Sequence, residues 1–174
     1  MGRHFGFHGH ENLQGVMQTP KKTLTLHHLT PSDLLAEKLI EKDVLKSYFT
    51  FTVIRDPFKR MLSDFYWQKA HDRHKVFSNL NFSGYLDVAE QTIKERNYYE
   101  KVHFDHFRPM IDYCQDDEVL GLDEILLLEN IDDELRRFPK PLGIFELPKL
   151  NSSNGKLGPF ETAYNIDRVY ELYS

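Results

Sequence analysis

Cysteine is almost missing: Cys114 is the single one in 174 residues. No internal disulfide can form, and a cysteine-based zinc site is excluded. Its neighbours Ile111, Asp112, Tyr113 and Gln115 supply no cation or base to activate a thiolate, so an ordinary packed thiol is expected. The lone cysteine suits a reducing compartment. Glycine is sparse too, with 9 residues, and none falls in a Gly-x-x-x-x-Gly-Lys-Ser/Thr loop. The phosphotransferase chemistry that such a loop serves is therefore not expected. No stretch approaches the roughly 18 apolar residues of a membrane span, and the opening residues have no apolar signal-peptide core. Positive charge is not in excess: 22 Lys+Arg face 27 Asp+Glu, for a net charge of −5. That balance argues against a general nucleic-acid binder. An anionic ligand has to be held by a few well-placed cations.

The composition is 40% hydrophobic and 13% aromatic, with 13 Phe and 9 Tyr, which is that of a globular chain. No internal repeat or low-complexity linker interrupts it, so residues 1–174 read as a single domain. Ser32 to Ile40 has helical spacing, with Thr30 or Ser32 able to cap it. Tyr48 to Ile54 is aromatic and β-branched and reads as a buried strand. It stops at Arg55-Asp56-Pro57, where Asp56 is a natural N-cap and Pro57 suits the first helical position. Phe58, Met61, Leu62, Phe65 and Tyr66 then form an apolar helical stripe. Further on, Phe82 to Ile93 reads as a helix, Ile125 to Leu128 as a short buried strand and Asp132 to Phe138 as a short helix ended by Pro139 and Pro141. A loop-rich stretch, Leu147 to Phe160, precedes a last helical start at Ile166 to Tyr173. Alternating helices and strands favour an α/β sheet. The final residues carry no C-cap, which reads as a cut in mid-helix.

In an open α/β sheet, ligands bind beyond the carboxyl ends of strands, where helix N-termini present free N–H groups. Arg55 stands at such an end, and Arg60 and Ser63 share a face of the helix that follows. A guanidinium, a hydroxyl and a positive helix end together suit a dianionic phosphate. The plainer alternative is that Arg55 and Arg60 pair with Asp56 or Asp64 and only finish the helix.

The run Val53-Ile54-Arg55-Asp56-Pro57-Phe58-Lys59-Arg60-Met61-Leu62-Ser63-Asp64-Phe65-Tyr66 resembles the 3′-phosphate motif of Golgi-type and bacterial carbohydrate sulfotransferases. Three weaker matches follow in the family's order: His103 to Pro109, Leu128-Glu129-Asn130-Ile131, and Leu147-Pro148-Lys149-Leu150-Asn151-Ser152-Ser153. The resemblance spans most of residues 27–174. It implies a P-loop-like α/β fold with a parallel sheet flanked by helices. The co-substrate implied is 3′-phosphoadenosine 5′-phosphosulfate (PAPS), and the acceptor a hydroxyl of a carbohydrate. Arg55 and Ser63 are then expected to hold the 3′-phosphate of PAPS, with Arg60 supporting the turn. The family's early strand and its Lys-Thr-Gly-Gly-type 5′-phosphosulfate loop have no counterpart here, since Thr19-Pro20-Lys21-Lys22-Thr23 lacks the glycines and reads as a linker. A partial catalytic domain is therefore expected, or a non-catalytic remnant of the same fold that serves as an interaction domain.

Sulfuryl transfer needs a base for the acceptor proton, and histidine suits neutral pH. Phe7-His8-Gly9-His10 resembles the His-Gly-His segment of uronyl 2-O-sulfotransferases, which makes His8 and His10 candidates. His28 is the rival, because related bacterial enzymes carry a Lys-His-x-Thr-like stretch at that point. The third alternative is that all are solvated loop histidines. His4, His8 and His10 show no regular metal-ligand spacing, so no metal is expected. The family leaves two locations open, a bacterial cytoplasm or the Golgi lumen behind a membrane anchor.

Overall fold

A computed structural model describes residues 16–19, 22–71, 75–101, 103–114, 122–136, 160 and 162–174. The chain divides into two compact units, Met1–Phe51 with Thr92–Asp123, and Thr52–Gln91 with Glu124–Ser174. Among the described residues no helix is long and apolar enough to cross a membrane.

In the first unit, β1 (Val16–Gln18) pairs antiparallel with β2 (Thr23–Thr25), placing Met17 opposite Leu24. Of the segment expected to be a linker, Thr23 begins β2, and Thr19 and Lys22 are hydrogen-bonded to each other. The Thr19 hydroxyl donates to the Lys22 carbonyl at 2.9 Å and accepts the Lys22 N–H at 3.0 Å. Strands of three residues are too short to show an alternating pattern. Leu24 forms a core with Leu26 and Leu29, and Met17, Leu34, Leu39 and Tyr99 pack against it.

Thr30 starts α1 (Pro31–Ala36) through a capping box. Its Oγ1 accepts the Asp33 N–H at 3.2 Å, and Asp33 Oδ2 accepts the Thr30 N–H at 3.0 Å. The helix stops four residues short of Ile40, where Lys38 turns left-handed with φ 54°. Helix α2 (Lys42–Ser47) follows and was not expected, because Leu45 is its only buried residue and gives no stripe. Tyr48 is the C-cap of α2, so it does not belong to a strand.

The second unit holds most of a two-stranded sheet, β3 (Phe51–Ile54) beside β4 (Glu124–Leu127). Asp123 clamps its entry, with Oδ2 accepting the Thr50 N–H at 2.7 Å and the Thr50 hydroxyl at 3.1 Å. Neither strand is buried as expected. Phe51, Val53, Ile125 and Leu127 are all exposed, and Leu126 alone is buried, against Leu135 and Ile131. Among the described residues this sheet has two strands, which cannot by themselves bury both faces of a ribbon, and hydrophobicity in the sequence does not report strand number.

Helices form the bulk of this unit: α3 (Pro57–His71), most of α4 (Phe82–Glu95), α6 (Ile131–Arg136) and α7 (Ala163–Leu172), while the short α5 (Ile111–Cys114) belongs to the first. The α3 stripe buries Phe58, Met61, Leu62 and Phe65 as its spacing predicts, but Tyr66 is exposed. Phe65 is the hub of an aromatic cluster, with ring centroids 5.3 Å from Phe82, 5.4 Å from Tyr85 and 5.7 Å from Phe160. These edge-on contacts add to area burial. Phe65→Ala is expected to lower stability by roughly 3–5 kcal/mol, read as a fall in melting temperature. An unchanged melt would mean that α3 packs by another face.

Candidate active site

Arg55 is half-buried in the turn that joins β3 to α3. The turn is pinned from three sides through Asp56. Its Oδ1 accepts the Lys59 N–H at 2.8 Å, which caps α3. Its own N–H donates to Glu129 Oε1 at 3.1 Å, and Oδ2 accepts the Tyr170 hydroxyl of α7 at 2.5 Å. Glu129 sits in the 3-10 turn Leu128–Asn130 that leaves β4. Two strand-to-helix steps therefore meet at one hydrogen bond. Burial alone would raise the Asp56 pKa, but the Tyr170 hydroxyl, the Lys59 N–H and the Lys59 charge outweigh it and hold the carboxyl below its ordinary range.

This arrangement changes what the turn offers an anion. The carboxylate of Asp56 already occupies the positive end of α3, so a phosphate here depends on side chains more than on the helix end. Arg55 and Ser63 are both half-buried and both belong to this strand–turn–helix unit. The Arg60 guanidinium lies 5.8 Å from the Tyr173 ring centroid, in cation–π contact. Asp64 accepts the Tyr85 hydroxyl. Burial and that carboxylate push the Tyr85 pKa up, which keeps the phenol a donor.

A second polar cluster lies within the first unit, around the 3-10 turns Leu26–His28 and Phe104–Phe107. His28 Nδ1 is 2.8 Å from Asp105 Oδ2. Burial works against the Asp105 charge, but the hydrogen bond from His28 and the charges of His28 and His106 prevail and lower its pKa. An ionised carboxylate only accepts, so His28 Nδ1–H is the donor of this bond, and the bond orients the ring. The Tyr113 hydroxyl donates to the His28 carbonyl at 2.9 Å and fixes the backbone beneath the ring. Nearby, the buried Arg108 donates to Asp33 Oδ2 and, at 3.2 Å, to Thr30 Oγ1. The Tyr99 hydroxyl donates to the same Asp33 oxygen at 2.5 Å.

A family model described as the sulfotransferase family matches residues 7–171. The chain belongs to the sulfotransferase family. No curated protein and no solved structure matches it.

In this member of the sulfotransferase family the sequence candidates separate. Arg55, Arg60 and Ser63 share one structural unit, and His28 lies in the other. His8 and His10 lie outside the described residues, as does the Leu147–Ser153 segment. Sequence reasoning missed Asp105, His106 and Arg108 as chemical groups, although all three fall in the quoted stretch His103 to Pro109. The available signal was a carboxylate and a guanidinium interleaved with phenylalanines. Phe104, Asp105, Phe107 and Arg108 are all buried, and charges buried among apolar neighbours need partners. Cys114 is half-buried and its thiol donates to the Met110 carbonyl at 3.3 Å. Burial pushes its pKa up, which fits a packed thiol.

Proposed function

We propose that this sulfotransferase takes its sulfuryl group from PAPS and delivers it to a hydroxyl, with carbohydrate as the acceptor class. The observation that carries the reading is the pinned turn at Arg55, held by Glu129 and Tyr170 through Asp56. A phosphate ligand needs a cation whose backbone does not move, because positioning accounts for most of its selectivity. Arg55 supplies the guanidinium for the 3′-phosphate and Ser63 a hydroxyl donor. Arg60, packed on Tyr173, supports the turn. The parallel, P-loop-like sheet of the resembled family is the fold that goes with this reading. The carbohydrate acceptor rests on that resemblance alone.

In the reaction the acceptor oxygen bonds to sulfur as the sulfur–oxygen bond to the 5′-phosphate breaks, which leaves 3′-phosphoadenosine 5′-phosphate. The acceptor proton passes to a base. His28, whose ring Asp105 orients, is a candidate for that base beside His8 and His10. The family's positioning-and-charge chemistry requires no metal for this step.

Calorimetric titration of the chain with 3′-phosphoadenosine 5′-phosphate and with adenosine 5′-phosphate tests the donor assignment. The first should bind tighter by roughly 10–100-fold, the equivalent of one charged hydrogen-bonded phosphate contact. Equal affinities, or no binding of either, would reject it.

A further inference from the structure

We propose that His28, Asp105 and His106 form a binding site for a divalent transition-metal ion such as zinc. Sequence spacing gave no hint of it, because His28 and Asp105 are 77 residues apart. The two 3-10 turns bring one ligand atom from each of the three residues to within 4.8 Å of the others. Metal–ligand bonds of about 2.0–2.2 Å place tetrahedral ligands roughly 3.3–3.6 Å apart. Small side-chain rotations on two short turns would close that gap.

Three independent features point the same way. The donor set, two imidazoles and one carboxylate, is one that borderline divalent ions prefer and that leaves a coordination position open. The Asp105 side chain is only 5% exposed, and its Oδ1 is buried without a partner at full hydrogen-bond geometry among the described residues, the Thr25 hydroxyl adding only a looser contact to the carboxylate. A buried carboxylate oxygen without a donor is a group that a cation would satisfy. Access exists as well, since the His28 side chain is 26% exposed and His106 is half-buried. The rings of His28 and His106 lie 4.7 Å apart, and His103 stands 5.2 Å beyond His106.

A bound ion would tie together two turns that come from distant parts of the sequence, and so stabilise this unit by mass action. It would also occupy His28. If His28 is the base proposed above, ligation and proton acceptance exclude one another, but the metal site does not depend on that reading.

The test is zinc binding to the full chain, followed by competition against a chromophoric chelator and by thermal melting. Wild type should take up one equivalent of Zn2+ and melt at a higher temperature with it. His106→Ala, and separately Asp105→Asn, should weaken binding by at least roughly 10–100-fold and abolish the zinc-dependent rise in melting temperature. His106→Gln serves as the second variant if alanine disturbs folding. A chain with His4, His8 and His10 all replaced by alanine should bind as wild type does. The proposal is overturned if wild type shows no saturable uptake. It is overturned equally if uptake survives the His106 and Asp105 variants, or disappears with His4, His8 and His10. Because binding and melting are read without any sulfuryl transfer, a failed base assignment would leave these results untouched.

Discussion

Replacing Arg108 with methionine is expected to lower folding stability by roughly 3–5 kcal/mol, the range for breaking a buried ion pair from one side. The Arg108 side chain is 8% exposed and that of Asp33 14%. The guanidinium also lies over the Tyr98 and Tyr99 rings, 4.8 Å and 5.1 Å from their centroids. Methionine keeps much of that packing, so the loss isolates the charge left on Asp33. Thr30 and Tyr99 continue to donate to Asp33, which keeps the effect from exceeding this range. In a chain of this size the melting temperature should fall by roughly 6–20 °C. A shift of only a degree or two would show that water reaches Asp33 and that the pair adds little.

The same pair fixes a pH dependence. Burial favours the neutral form of Asp33, but the Tyr99 hydroxyl, the Arg108 charge and the Thr30 bonds win, and its folded pKa lies below the ordinary 3.8. A depressed carboxylate contributes stability that is fully present above the unfolded value and is lost as pH falls through the folded one. Asp105, also depressed, adds in the same direction. Wild type should therefore lose stability as pH drops below about 4. In Arg108→Met the folded pKa of Asp33 moves up, because its cation is gone. The gap between variant and wild type should be widest at neutral pH and narrow in acid, where a protonated Asp33 no longer needs a partner.

How legible these features were depended on distance along the chain. The turn and helix that follow Arg55 were read closely, since their signals are local: a cap at Asp56, a proline at Pro57 and a stripe buried through Phe65, whereas β3 starts three residues later than expected and Tyr66 is exposed. The cap of α1 was legible only as a choice between Thr30 and Ser32, and Thr30 is the residue that caps it. The hairpin β1–β2 and helix α2 were not, because three-residue strands and a single buried Leu45 leave no period to detect. Exposure of β3 and β4 could not be foreseen either, as it depends on how many strands stand beside them. The His28–Asp105 pair and the Arg108–Asp33 pair were hidden for a different reason. Both are long-range contacts, and one sequence does not say which carboxylate meets which cation. Glu129 lies between these cases: its segment was quoted as a weak match, while its bond to Asp56 needed the fold.

If Arg55 holds the 3′-phosphate as proposed, Arg55→Ala is expected to remove binding of 3′-phosphoadenosine 5′-phosphate while the fold persists. Loss of a charged hydrogen bond to phosphate is worth roughly 1.5–3 kcal/mol, or about 10–100-fold in affinity, and more if the contact is bidentate. The substitution leaves the turn's own bonds in place, since Asp56, Glu129 and Tyr170 hold it without the Arg55 side chain. Its melt should therefore stay near that of wild type. Ser63→Ala should weaken the same ligand less, by the roughly 0.5–1.5 kcal/mol of a neutral hydrogen bond. Arg60→Ala should do the opposite of Arg55→Ala, disturbing stability through Tyr173 more than affinity. The decisive comparison is adenosine 5′-phosphate, which lacks the 3′-phosphate and should bind wild type and Arg55→Ala alike. If Arg55→Ala weakened both nucleotides equally, the guanidinium would be serving the nucleotide's other end or the turn itself. If it weakened neither, the 3′-phosphate assignment would fall, and with it the main support for PAPS as donor.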